Sequence, residues 1–212
     1  MKNNSREEYH SIIRHYESCF DTHGDTYLGV DWPNERDVLT RYQVMLDVIR
    51  RLPGGGNVSL LDFGCGTAAL LGYIRQHQLQ HINYSGLDAS EKYIAFSREK
   101  FPDVVFYRKD ILQEHDLPEF DYIVMNGVFT EKRELSFDAM FAYFKKMIAA
   151  VFQHTGKGIA FNVMSKHVDW ERDDLFHLPF DALAAFLKKE ISRNFIIRND
   201  YGLYEYTTYV YK

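Results

Sequence analysis

The sequence predicts an α/β domain: a mostly parallel seven-stranded sheet with helices on both faces, closed by a C-terminal antiparallel β-hairpin. Three observations carry that prediction. Short apolar runs such as Val58–Phe63 alternate with stretches of helical periodicity, the pattern of buried parallel strands joined by crossover helices. The first of these runs ends in Gly64-Cys65-Gly66, and a helical pattern begins at once. Glycine permits so sharp a turn because no Cβ stands in the way. The chain ends in two aromatic-rich β runs with Gly202 between them, the mark of a hairpin.

Residues 5–20 read as a short helix, with Tyr9, Ile12, Ile13, Tyr16 and Phe20 at helical spacing. Residues 21–33 mix glycines, carboxylates, aromatics and a histidine without periodicity, and long segments of this kind are commonly lids or binding loops. Asn34 caps a helix over 35–52, which Pro53 and the glycines after it stop. Strands follow at 58–63, 82–87, 104–107, 121–127 and 158–164, with helices at 67–78, 90–100 and 136–152. A second insertion, 165–178, precedes a helix over 179–190, and the hairpin pairs 193–197 with 204–211. Parallel neighbours joined in this way take right-handed crossovers.

At 212 residues with 46% hydrophobic content, the chain reads as one domain with a sizeable core. A formal charge of −5 and a pI of about 6.0 leave no basic face for nucleic acid. The distant Cys19 and Cys65 make no disulfide framework, and Cys65 reads as a small side chain that suits the glycine turn. The first residues are polar and unlike a signal peptide, and no apolar stretch nears the ~18 residues of a membrane span. The expectation is a cytoplasmic protein with a small-molecule partner and no nucleic-acid or membrane partner. The sequence is silent on oligomeric state.

Strand, glycine turn and helix make a cradle for a nucleotide-type cofactor, because the helix points its free N–H groups and positive dipole end into the turn. Asp62 sits two residues before Gly64, and Asp88 ends the next strand, placed to accept from ribose hydroxyls. An acid at Asp62 repels a pyrophosphate and attracts a cofactor that carries a sulfonium and an ammonium. On Asp62-Phe63-Gly64-Cys65-Gly66-Thr67-Ala68 the chain resembles the class I S-adenosylmethionine-dependent methyltransferases, whose first motif reads (Asp/Glu)-x-Gly-x-Gly-x-Gly. Ala68 replaces the last glycine, a position that in the family mainly governs helix packing. The same letters also read as Gly64-x-Gly66-x-x-Ala69, the dinucleotide fingerprint. That keeps an NAD-type oxidoreductase as one alternative. A cofactor-binding protein without transferase activity is another.

The resemblance implies a Rossmann-like sheet, S-adenosylmethionine as cofactor and S-adenosylhomocysteine as product. Residues 1–57 would supply N-terminal helices and a lid segment, and 58–212 the cofactor-binding core of the same domain. Gly64, Cys65 and Gly66 would shape the turn, with Asp62 near the methionine end. Asp88 would hold the ribose, with Ala89 and Ser90 along that edge. Asp110 and Ile111 would meet the adenine, and Asn126 and Gly127 would pass beneath the methionine moiety. Arg41 stands where related enzymes reach the methionine carboxylate, and Arg36 is its rival. Two departures matter. Asn126-Gly127-Val128-Phe129 is not the (Asp/Asn)-Pro-Pro-(Tyr/Phe) of amino-directed nucleic-acid methyltransferases. Thr130-Glu131-Lys132 lacks the histidine that several small-molecule O-methyltransferases place there.

Substrate recognition should come from the two insertions: Asp25, Tyr27 and Trp32 in the first, Lys166 and Trp170 in the second. Methyl transfer from a sulfonium is an in-line displacement, so it needs alignment and a dry site. A hydroxyl acceptor also gains from a base whose pKa lies near neutral. His167, directly after the fifth strand, is the first candidate, and His23 the second. No metal site is expected. The resulting expectation is methylation of a small molecule, on a hydroxyl more readily than on an amine.

Overall fold

The computed structural model describes residues 4–50, 55–114 and 116–212, with side chains from residue 9 onward. Seven strands form one sheet in the order β3-β2-β1-β4-β5-β7-β6. They are β1 (Val58–Phe63), β2 (Ile82–Asp88), β3 (Phe106–Arg108), β4 (Phe120–Met125), β5 (Thr155–Met164), β6 (Phe195–Arg198) and β7 (Glu205–Tyr211). The pairs β1·β2, β1·β4, β2·β3 and β4·β5 are parallel, and β7 runs antiparallel to both β5 and β6. Lying between two strands, β7 is buried along its whole length. The sheet is therefore mostly parallel with the expected antiparallel hairpin.

Alternate residues of each strand feed opposite faces, as the two-residue period of a strand requires. Leu60, Tyr122, Val124 and Ala160 pack with Val38, Tyr42 and Met45 of helix α2 (Glu35–Leu46) and with Leu70 and Ile74 of α3 (Ala69–Gln76). Leu61, Ile123 and Phe161 face the other way, toward Phe144 and Ile148 of α5 (Phe137–Phe152) and Leu183 and Phe186 of α6 (Phe180–Phe186). Helix α4 (Glu91–Lys100) starts at Ser90, whose side chain accepts from the Tyr93 backbone N–H as the spacing predicted. Among the described residues no helix is long and apolar enough to cross a membrane.

Several expected boundaries move. Helix α1 (Asn4–His23) runs past Phe20, and the irregular segment shrinks around a 3-10 turn at Leu28–Val30. The α-helical part of α2 ends at Leu46, and the expected stop at Pro53 lies outside the described residues. β5 begins three residues early, where Thr155 Oγ1 donates to Asp121 O and Gly158 O. The last helix is α-helical only to Phe186, then widens into a π turn over Leu187–Ile191. β1 has β2 on one side and β4 on the other, so the strand order reverses there. Open α/β sheets bind ligands at the carboxyl ends of strands beside such a reversal.

Candidate active site

The cradle begins where β1 ends. Gly64 (φ +75°), Gly66 (φ +51°) and Ala68 (φ +56°) all take left-handed backbone. A Cβ on Gly64 would stand 2.7 Å from Val128 Cγ2, so this glycine is required by space as well as by φ. The turn is clamped to the end of β2. Gly64 and Cys65 N–H groups donate to Leu87 O at 2.8 and 3.0 Å, and the Gly66 N–H donates to Asp88 Oδ2 at 3.0 Å. The Ser90 N–H donates to Asp88 Oδ1 at 2.9 Å. Asp88 thus serves as a backbone clasp in addition to facing the cavity.

A cavity of about 140 Å3 lies over the turn, and Gly64, Gly66, Asp88, Ala89, Asp110 and Ile111 form part of its wall. Asn126 and Gly127 complete the wall at the end of β4. Asn126 Oδ1 is buried and has no hydrogen-bond partner among the described residues. A buried carbonyl oxygen of this kind calls for a donor. The ammonium of S-adenosylmethionine is such a donor, Asp88 offers acceptors for ribose hydroxyls, and the residues present therefore fit that cofactor. Helix α1 roofs the cavity: the Tyr9 hydroxyl donates to Asp110 Oδ2 at 2.6 Å and the Tyr16 hydroxyl to Gly127 O at 3.2 Å.

The carboxylates of the cradle are unusually basic. Burial raises Asp62 to about 7, against the Tyr84 hydroxyl that donates to it at 2.8 Å, and the charge of Asp88 adds to the rise. Asp88 is raised to about 6, again by burial, with the N–H groups of Ser90 and Gly66 opposing. A cation brought nearby lowers both values, because it favours the charged form.

A second cavity of about 320 Å3 adjoins the first and shares Tyr16, Val30 and Trp32 with it. Its wall includes Thr130, Glu131, Trp170, His177 and Tyr204. Glu131 is 7% exposed, and its carboxyl is raised by burial first and then by the charges of Asp31 and Asp174, with Arg133 opposing. His177 is equally buried, but both ring nitrogens are engaged: Nδ1 lies 2.6 Å from Ser165 O, and Nε2 accepts from the Arg172 N–H at 3.3 Å. With both nitrogens held, its ring braces the wall and has no free lone pair for a substrate proton.

Several residues singled out from sequence lie elsewhere. Arg41 does not reach the cofactor cavity. Its Nε donates to Glu205 Oε2 at 2.9 Å in a buried pair, its guanidinium lies 3.9 Å over the Trp32 ring, and it lines the second cavity instead. Its rival Arg36 is exposed and lines neither. Asp62 and Cys65 are buried behind the turn rather than on its wall, and Ser90 is committed to capping α4 and to Glu17, 2.5 Å away. His167 and His23 are exposed and line neither cavity; the His167 ring stacks on Phe180 at 5.1 Å. Asp25 pairs with Lys100 and Lys166 with Glu171, each at 2.7 Å, and Tyr27 is exposed away from both cavities. Trp32 stands between the cavities, and Trp170 lines the second although it is 70% exposed. Sequence reasoning missed Tyr9 and Tyr16 as wall residues, although the apolar stripe of α1 pointed to a buried face. Nothing local to Thr130-Glu131-Lys132 signals that Glu131 is buried.

Residues 61–155 match the methyltransferase domain family. The putative methyltransferase Rv1506c of Mycobacterium tuberculosis is 27% identical over 157 residues, which is 73% of this chain and 93% of that protein. Among solved structures, magnesium protoporphyrin IX methyltransferase (ChlM) from Synechocystis, with bound SAM, has a TM-score of 0.63 at 16% identity. The match covers 95% of this chain and 96% of that one. The 1,6-didemethyltoxoflavin-N1-methyltransferase of Burkholderia thailandensis gives 0.64 at 16% identity, covering 97% and 89%. At these identities the two structures speak to the fold, and the fold agrees.

Proposed function

We propose that this chain, which belongs to the class I S-adenosylmethionine-dependent methyltransferases, methylates a hydroxyl of a small molecule held in the second cavity. The observation that carries the reading is the shared wall of Tyr16, Val30 and Trp32, which sets an acceptor pocket beside the cofactor cradle with a buried carboxylate, Glu131, in it. S-adenosylmethionine supplies, when bound, an electrophilic methyl group on sulfur. Asp88 would accept from its ribose, Asp110 from its adenine amine, and Asn126 Oδ1 from its ammonium. Trp32 and Tyr16 keep water from the junction and align the acceptor. Glu131 takes the hydroxyl proton, a role that burial suits by raising the basicity of its carboxylate. That assignment replaces the two histidines, which stand outside both cavities.

The acceptors named for the two solved methyltransferases, magnesium protoporphyrin IX and 1,6-didemethyltoxoflavin, are small molecules and support a small acceptor here. The test is release of S-adenosylhomocysteine against matched panels of hydroxyl and amine compounds. Turnover confined to hydroxyl compounds is expected. Turnover on amines alone would overturn the oxygen assignment, and binding of cofactor without turnover on any panel member would count against the small-molecule acceptor.

A further inference from the structure

The stretch that leads from α1 to the second cavity brings three unlike side chains together. His15 and Cys19 lie one helical turn apart on α1, so they share a face. Asp31 follows the 3-10 turn, in left-handed backbone (φ +58°) with its N–H bonded to Leu28 O. Its Oδ2 lies 2.7 Å from His15 Nε2, and Cys19 Sγ lies 3.8 Å from the same nitrogen. One ligand atom from each residue falls within 4.8 Å of the other two.

We propose that His15 Nε2, Cys19 Sγ and the Asp31 carboxylate bind a zinc-type divalent ion. A nitrogen, a sulfur and an oxygen donor together suit zinc, whose sites mix these three donors, whereas calcium and magnesium take oxygen donors. Ligands around such an ion stand roughly 3–3.6 Å apart, so His15 and Asp31 part by about half an ångström while Cys19 Sγ closes on the pair by up to about an ångström. Binding forms one bond to each residue; the Cys19 thiol proton leaves to solvent, the proton that His15 Nε2 shares with Asp31 Oδ2 moves to Nδ1 or to solvent, and nothing is oxidised or reduced. Three protein ligands leave a fourth position for water or substrate. Because Asp31 also lines the second cavity, the ion would tie α1 to the wall of the acceptor pocket. None of this rests on the nature of the methyl acceptor.

The experiment is a titration of chelator-treated full-length protein with Co2+, read by absorption. One equivalent should bind with a thiolate-to-cobalt charge-transfer band, and added Zn2+ should bleach it. Cys19→Ser should abolish the band, while Cys65→Ala, which changes the other cysteine of the chain, should keep it. His15→Ala and Asp31→Asn should each weaken binding at least about tenfold, with circular dichroism confirming that the variants fold. Absence of the band in the parent protein overturns the site, as does a band that survives Cys19→Ser. In either case His15 and Asp31 form only a hydrogen bond. Because the readout is the metal and not methyl transfer, its failure leaves the methyltransferase reading intact.

Discussion

The Tyr9 hydroxyl donates to Asp110 Oδ2 at 2.6 Å, so the roof helix holds the carboxylate that should meet the adenine amine. Gln113 Nε2 donates to the same oxygen, and the Leu112 N–H takes Oδ1 at 3.1 Å. An arriving amine must therefore displace a donor from Oδ2 or crowd beside one. Tyr9→Phe is expected to tighten cofactor binding a few-fold, as removal of a competing bond worth about 1 kcal/mol implies. Calorimetry with S-adenosylmethionine checks this. Weaker binding in the variant would mean instead that Tyr9 holds α1 closed over the bound cofactor.

Much of this site is legible in the sequence because parallel strands deliver their last residues to one edge of the sheet. Asp88 ends β2, Asp110 and Asn126 follow β3 and β4, and all three line one cavity. What periodicity does not disclose is a partner. The stripe of Tyr9, Ile12 and Tyr16 on α1 signals a buried face, yet nothing local says that the face roofs a ligand cavity. Arg41 meets Glu205 across 164 residues, a contact that only the assembled sheet creates. His167 follows the fifth strand as read, but the chain turns it onto Phe180. The same holds for Glu131: a glutamate after a strand is ordinary until burial raises its basicity.

Asp62 supplies a prediction with a definite sign. Its carboxyl is raised to about 7 by burial, against ~4 for an aspartate in an unfolded chain. The folded chain therefore holds the proton more tightly. This group favours the fold below the unfolded value, and that contribution is lost as pH rises through about 7. Asp62→Asn removes the titration while its amide oxygen can still accept from Tyr84. The variant should melt above the parent at pH above 7, with the gap closing toward pH ~4, and should bind cofactor more weakly. A melting difference independent of pH would show that burial of the Asp62 charge does not control it.

Ala68 stands where the family motif has a glycine, and its φ of +56° is the reason glycine suits the position. A left-handed alanine costs about 1–2 kcal/mol. Its methyl is fully buried beside Leu71, Ile94 and Phe106, which returns about 0.8 kcal/mol, and alanine also restricts the unfolded chain. The terms nearly offset, which accounts for the tolerance of alanine. Ala68→Gly should change stability by no more than about 1 kcal/mol, whereas Ala68→Val, β-branched at positive φ, should cost at least about 2 kcal/mol. Denaturant unfolding of both variants decides. A large stabilisation by glycine would mean that the methyl contributes nothing.

Glu131 is the base of the proposed reaction, and its variant is the most direct trial of that reading. An alcohol at neutral pH is a poor nucleophile, so its proton must leave during or just after transfer, and a positioned base is worth ~10²–10⁴ in rate. Glu131 acts as the carboxylate, and burial raises its pKa above the ordinary glutamate range. Activity should therefore fall as pH drops through that raised value, at a higher pH than an exposed glutamate would give. Glu131→Gln keeps shape and removes the base. On an acceptor found in the hydroxyl panel, it should lower turnover by ~10²–10⁴, abolish the acid limb of the pH–rate profile and leave cofactor affinity unchanged. A loss of only a few-fold with the limb retained would pass the proton to water or to Asp31, a carboxylate of the same cavity that also bonds to His15 of α1. Asp31→Asn would then remove the limb, and the two variants together separate a buried base from mere alignment.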